Sequence, residues 1–168
     1  DFACVLGQEM AGYATGEVYF TSQALGFRHS HLDAGGYSYD QKHQDKDVEK
    51  AVSFLVQDEQ ERVLLTSMMS CLFAREVYKR DVLAECLGSL GYNTLAANLE
   101  ALSRRVQELR WKIRVATGFN PSAVEIPKRF TEVTTWKGKV DGDYLKALQK
   151  DYARRIMEMG RREQDVRS

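Results

Sequence analysis

Proline is nearly absent from this chain: Pro121 and Pro127 are the only two in 168 residues, which excludes Pro-rich linkers and collagen-like segments. Cysteine is scarce as well. Cys4, Cys71 and Cys86 are an odd number at wide spacing, so no disulfide framework is expected and a reducing cytoplasm fits best. No apolar run approaches the roughly 18 residues needed to cross a bilayer, so no membrane partner is expected. The opening Asp1-Phe2-Ala3-Cys4-Val5-Leu6-Gly7 has neither the basic nor the apolar region of a signal peptide. It also lacks an initiator Met, and the expectation is a piece cut from a longer protein. Net charge is missing too, because 24 Lys and Arg balance 24 Asp and Glu. That balance excludes a nucleic-acid-coating role. There is no phosphate-cradling Walker loop, no Gly-x-Gly-x-x-Gly after a strand, no Cys-x-x-Cys pair and no Gly-x-Ser-x-Gly elbow.

What remains is an ordinary globular composition, 43% hydrophobic and 29% charged, of a size that suits one domain or one large piece of a bigger enzyme. Half of the twelve glycines fall in residues 1–40, together with Tyr13, Tyr19, Tyr37 and Tyr39. Such density marks turns and close backbone approach. Within it, Ala14 to Leu25 has room for one helix stopped by Gly26. From Asp47 to Tyr78 the spacing predicts two helices, with Asp58-Glu59-Gln60 near their junction. Met68, Met69, Cys71, Leu72 and Phe73 are apolar nearly all round, which predicts a buried helix. Asp81 to Leu87 reads as a short helix with Asp81 as N-cap and Gly88 near its end.

The clearest periodicity is Leu95, Leu99, Leu102, Val106, Leu109 and Ile113, in steps of three and four. It predicts a helix from Asn93 or Thr94 to about Thr117 with a core-facing seam, stopped by Gly118 and Pro121. Arg104, Arg105 and Arg110 lie off that seam and read as a solvated face. Val133-Thr134-Thr135-Trp136 suits a short extended piece. A last helix is expected from about Gly142 to Met159. The fold class is therefore all-α: a single domain of roughly five to seven helices with an irregular Gly-rich N-terminal segment.

Two places carry candidate chemistry. His29 and His31 sit two apart beside Arg28 and Asp33, in a loop crowded with groups that titrate, donate or ligate. Imidazole suits proton transfer near neutrality, and Asp33 could orient one ring. The plainer alternative is a pair of loop histidines bonded to backbone. Cys71 reads either as an inert small hydrophobe in a buried helix or as a thiolate ligand whose partner cysteines lie elsewhere. Cys4 and Cys86 take the inert reading. Met68 and Met69 read as core filler, and Lys128-Arg129 beside Phe130 is too small to be a nucleic-acid patch.

Four blocks, taken in order, carry a resemblance. They are Gly7 to Tyr13 with Glu9; Gly26-Phe27-Arg28-His29; Ser70-Cys71-Leu72-Phe73-Ala74-Arg75; and Ile126-Pro127-Lys128-Arg129-Phe130 after a helix ending Ala116-Thr117-Gly118-Phe119. The set resembles the C-terminal part of the aldehyde ferredoxin oxidoreductases, which are tungsten- or molybdenum-bis-pterin enzymes. The first block is similar to the family's Lys-Gly-x-Glu, and the second to its Gly-x-x-His, which places a histidine near the metal. The third is similar to its segment around the cysteine that is the fourth ligand of a [4Fe–4S] cluster. Glycine spacing favours His29 as the family histidine and the His-Leu pair favours His31; His29 is the preferred match. Thr66 stands where the family has Asp and Met69 where it has Gly, departures that put the pterin contact of that motif in question.

The resemblance implies a C-terminal helical domain over 1–168 of a larger enzyme, with residues 1–45 near the cofactor and 46–168 as helical core. It implies oxidation of aldehydes to acids, with the electrons passed through the [4Fe–4S] cluster to ferredoxin or another carrier. Cys71 would be the iron ligand, Ser70 and Leu72 would touch the cofactor, and His29 or His31 would act on the substrate. The upstream cofactor-binding domains would be obligatory partners. This chain alone would be inactive and would hold neither pterin nor cluster. Two rival readings are a benzoyl-CoA-reductase-like relative acting on an aromatic thioester, and a helical module that binds a protein partner without redox chemistry.

Overall fold

The computed structural model describes residues 4–9 and 12–162. Among them the chain is mostly helical, with eight α-helices and two minimal hairpins. Strands β1 (Cys4–Val5) and β2 (Gln8–Glu9) pair antiparallel. Helices α1 (Glu17–Leu25), α2 (Gly36–Lys42) and α3 (Val48–Ser67) follow. After a 3-10 turn at Leu72–Ala74 come α4 (Arg80–Ser89), α5 (Asn93–Ala97) and α6 (Leu99–Ala116). A second 3-10 turn at Pro121–Ala123 leads to α7 (Lys128–Glu132). The hairpin of β3 (Thr134–Thr135) and β4 (Gly138–Lys139) turns the chain into α8 (Gly142–Arg161). Among the described residues no helix is long and apolar enough to cross a membrane.

Helix α1 is buried on every side, against α2, α3 and α8. Gly16 precedes it and offers no side-chain cap. The cap comes from α2: the Asp40 carboxylate accepts the Tyr19 amide at 2.8 Å, and Lys137 donates to it at 3.2 Å. A Cβ at Gly16 would stand 2.6 Å from that carboxyl carbon, so glycine is required there for space. A Cβ at Gly36 would lie 2.7 Å from the Val18 carbonyl, which lets α1 and α2 meet backbone to backbone. Around this pair lie Phe20, stacked on Phe130 at 4.4 Å, and Leu55, Leu148, Tyr152 and Ile156. Glu17 ties α1 to α8 by accepting the Asp141 amide at 2.7 Å, and Asp141 in turn caps α8 through the amides of Asp143 and Tyr144. A satellite cluster joins Leu64, Leu65, Leu83, Leu87 and Leu99.

Helix α6 packs on α3 and α8 through an unexpected face. Its buried residues are Leu99, Ser103, Gln107 and Trp111, spaced by four. The last two donate to one oxygen of Glu59 on α3, at 2.7 and 3.0 Å, and Gln107 also donates to the Val56 carbonyl at 3.0 Å. Gln60 donates to Ser103 at 3.1 Å. A polar ladder, with one indole in it, holds the two helices together. The predicted core-facing seam is thereby corrected: Leu99 is buried, but Leu95, Leu102, Val106, Leu109 and Ile113 are exposed. Arg110 is not on a solvated face either. Its guanidinium lies 3.9 Å over the Phe27 ring and 3.7 Å from Asp33.

Other boundaries differ for local reasons. The predicted pair of helices over 47–78 is one twenty-residue helix, α3, because Glu59 is held by side chains from α6 and no break is needed at 58–60. The predicted long helix over 93–117 is two, α5 and α6, separated at Asn98. Asp81 lies in the first turn of α4, whose N-cap is Lys79; Gly88 does lie near its end, and Gly91 supplies the left-handed stop. The stop at Gly26, the Thr134–Thr135 strand and the α8 start at Gly142 follow the expectation, whereas α1 starts at Glu17 rather than at Ala14.

Burial pushes the Glu59 carboxyl up to about 6, against the hydrogen bonds from Gln107 and Trp111 that pull it down. The folded state thus binds this proton more tightly than the unfolded chain, with its ordinary value of 4.5. The resulting stability is complete below pH 4.5 and is lost as pH rises through about 6. Glu59→Gln removes this slope: between pH 4.5 and 7 the native chain should lose about 2 kcal/mol relative to the variant, read from urea unfolding at each pH.

Candidate functional site

The loop between α1 and α2 carries both histidines, and α3 grips it. Asp58 accepts the Gly35 amide at 2.6 Å and pairs with Arg62 one turn later at 2.5 Å. Arg62 donates to the carbonyls of His31 and Leu32 at 3.3 and 3.1 Å. A second pair acts inside the loop, where Arg28 grasps the buried Asp33 with a two-pronged contact of 2.7 to 2.9 Å. The Gln23 amide, oriented to satisfy both of its ends, accepts the His31 amide at 2.7 Å and donates to the His29 carbonyl at 3.2 Å.

These constraints send the two imidazoles to different places. His29 adopts a left-handed φ of +52° and is buried. Its Nδ1 lies 3.1 Å from the Gln23 carbonyl and its Nε2 lies 2.6 Å from an Arg114 amino group. The carbonyl only accepts and the guanidinium only donates, so the ring is neutral with its proton on Nδ1. Burial, aided by the Arg114 charge, lowers its pKa below 6.5. Arg114 also donates to the Gly26 carbonyl at 3.0 Å and lies 4.0 Å over the Phe119 ring.

His31 is half-buried and lines a cavity of about 350 Å³ with Tyr13, Tyr37, Leu72, Phe73 and Arg75. The Tyr13 ring meets it edge-on at 5.2 Å. Arg75 donates to the Tyr37 hydroxyl at 3.1 Å and to the Leu72 carbonyl at 3.2 Å, joining the two walls. A larger cleft of about 820 Å³ adjoins at Arg62 and Arg75, and within it Arg80 pairs with Glu61 and Glu100.

Cys71 lies beside this cavity and not in a buried helix. Helix α3 ends at Ser67, and the predicted apolar helix through 68–73 is instead a surface loop. Met69 is 94% exposed and Phe73 86%, so Met69 is not core filler, while Met68 packs on the satellite cluster. All three cysteines are exposed with free thiols. The inert packing reading therefore fails for each of them. The loop is fixed by its backbone. Met69 donates to the Thr66 carbonyl at 3.1 Å and Ser70 to the Leu65 carbonyl at 2.9 Å. That is the two-bond helix ending of the Schellman type, which needs a left-handed residue. Gly91 and Gly118 serve this role after α4 and α6; after α3 it falls to Met69, at φ +54°.

Of the expected site residues, the fold brings His31 and Leu72 into the lining of one cavity, with Cys71 next in sequence to Leu72. Ser70 is half-buried with its amide spent on the helix ending. His29 is drawn away toward Arg114. Tyr13, Tyr37, Arg62, Arg75 and Arg114 had not been singled out as site residues. The Asp58/Arg62 spacing of four on a helix was a readable signal; the others converge only in three dimensions. No group of three His, Cys, Asp or Glu side chains that could hold a metal exists among the described residues. Cys71 is an exposed free thiol next to a helix ending fixed by its backbone, which is compatible with a single ligand position and not with a complete metal site.

A family model described as aldehyde ferredoxin oxidoreductase, domains 2 and 3, matches residues 2–159. The chain belongs to the aldehyde ferredoxin oxidoreductase family. As a member of a multi-domain oxidoreductase family, it works alongside other domains of the same protein. Searches of curated proteins and of solved structures gave no match.

Two outcomes follow from this geometry. The ring protons of His29 should titrate by NMR with a midpoint below 6.5, and Arg114→Met should move it upward. Because the folded value is depressed, the stability from His29 is present above pH 6.5 and is lost as pH falls through that lower midpoint. Met69→Gly should stabilise the fold by roughly 0.5–1 kcal/mol in calorimetry, since it relieves a left-handed side chain and gives up almost no burial.

Proposed function

We propose that this chain is the C-terminal helical domain of a tungsten-type oxidoreductase that converts aldehydes to carboxylic acids. In this reading it acts in the cytoplasm and only together with the upstream domains that complete the metal ligands. The observation that carries the reading is the shared cavity: Leu72, covalently next to the exposed Cys71 thiol, lines the same cavity as His31. When bound, a tungsten or molybdenum bis-pterin takes up two electrons from the substrate, and a [4Fe–4S] cluster passes them singly to ferredoxin or another carrier.

The chain's own residues have distinct tasks in this reading. Cys71 supplies one thiolate to iron, and the helix ending at Met69 and Ser70 holds its backbone in place. Leu72 stands between that thiolate and the cavity. Ser70 and Leu72 are the residues nearest the bound cofactor. His31 polarises the substrate carbonyl or moves its proton at one ring nitrogen. His29, with both nitrogens engaged, positions the loop rather than touching substrate. The aromatic wall of Tyr13, Tyr37 and Phe73 supports a second form of the proposal, in which the substrate carries an aromatic ring as in the benzoyl-CoA-reductase-like relatives.

The test uses the intact enzyme, purified without oxygen. Cys71→Ser should abolish or broaden the electron paramagnetic resonance signal of the reduced cluster, whereas Cys86→Ser should leave it unchanged. His31→Asn should lower kcat by about a hundredfold or more with the cluster signal retained. A Cys71→Ser enzyme with full iron content and an unaltered signal would remove the basis of the proposal. Aliphatic against aromatic substrates separates its two forms.

A further inference from the structure

The outward face of α6 is apolar where a solvated helix should be polar. From Leu99 to Ile113 the apolar residues Leu99, Leu102, Val106, Leu109 and Ile113 step by three and four, the a and d positions of a heptad. Leu99 is anchored in the satellite cluster, but the other four are 36–56% exposed. They form a stripe along a helix of 18 residues, about 27 Å long. At its N-terminal end the stripe runs into a groove of about 810 Å³ lined by Tyr92, Leu95, Ala101, Leu102 and Arg105. The helix needs none of this surface for its own packing, because the ladder to Glu59 holds its other side. A continuous apolar stripe of this length marks an interaction surface.

The flanks say what kind of partner fits. In this register the g positions are Asn98, Arg105 and Lys112, and the e positions Ala96, Ser103 and Arg110. None is a carboxylate. Ser103 is buried and Arg110 is folded over Phe27, so Arg105 and Lys112 form the open edge. Neither is ion-paired with a described residue, whereas Glu100 and Glu108, on the far side of the helix, are held by Arg80 and Arg162. An antiparallel second copy would bring Arg105 and Lys112 against the same residues, and a parallel one would set Arg105 against the Arg110 edge; neither supplies a carboxylate, which disfavours self-pairing.

We infer that the outward face of α6 docks an amphipathic helix of a partner polypeptide, with apolar residues at its seam and acidic residues along its flanks. The apolar seam supplies affinity, while Arg105 and Lys112 select the partner and set its orientation. This interface is separate from the His31 cavity and does not rest on the redox reading.

Fluorescence anisotropy with the 168-residue chain tests it, using two synthetic helices with Leu at the seam and either Glu or Lys on the flanks. The Glu-flanked helix should bind at least about tenfold more tightly than the Lys-flanked one, and more weakly as salt is raised. Val106→Glu and Ile113→Glu, both at exposed positions, should each abolish binding with the helical circular dichroism unchanged. Arg105→Glu with Lys112→Glu should reverse the preference between the two helices. Equal binding of both helices, no binding of either, or binding that survives Val106→Glu overturns the inference. So does a stable dimer in sedimentation that Val106→Glu dissolves, since the occupant would then be a second copy.

Discussion

The ion pair between Asp58 and Arg62 is the contact on which the candidate site depends. Both groups are largely withdrawn from water, and both spend their remaining hydrogen-bonding capacity on the backbone of the histidine loop. A withdrawn pair of this kind is weak as a source of net stability but costly to break from one side, because the survivor is left uncompensated. Its value here is geometric. One helix fixes Gly35, Leu32 and His31 at once, and the adjacent imidazole has no choice but to face the other way. The assignment of two histidines to two environments is thus a property of α3, expressed through a loop that carries almost no secondary structure of its own.

The same helix decides how α6 lies. Glu59 offers a single buried acceptor oxygen, and the amide of Gln107 and the indole of Trp111 both reach for it. A buried carboxyl with those donors is better satisfied than it would be facing leucines. The outcome is a helix whose interior contacts are polar and whose exterior is aliphatic, the reverse of the usual arrangement in a self-contained domain. That inversion makes sense for a polypeptide that carries out only part of a larger protein's work.

Much of the fold was legible in the residues themselves. Glycine after a helix and the β-branched run at 133–135 act over a few residues, and those boundaries appear where local chemistry put them. The existence of the α6 helix was equally plain. Which of its faces is inside was not, because periodicity reports a stripe and not what the stripe meets. For the site, the blocks around His29, His31 and Cys71 were visible, but the choice between the histidines was not. Gln23, Arg114, Asp58 and Arg62 decide it, and they lie 6 to 85 positions away from the histidines they hold. The loop at Cys71 escaped for a different reason. Its stop signal is normally glycine, and Met69 occupies the same backbone conformation with a side chain that reads as core.

Helix α1 borrows its cap from a residue 21 positions further along. Nine residues are too few to hold a helix alone in water, and Gly16 contributes no side-chain oxygen to cap it. The first helix therefore cannot mature until the second has swung back against it, and the segment slung between them gains its shape only at that moment. The histidine loop is consequently an all-or-none feature of the folded molecule. A chain that has not yet closed α2 on α1 would not hold its two imidazoles in separate environments.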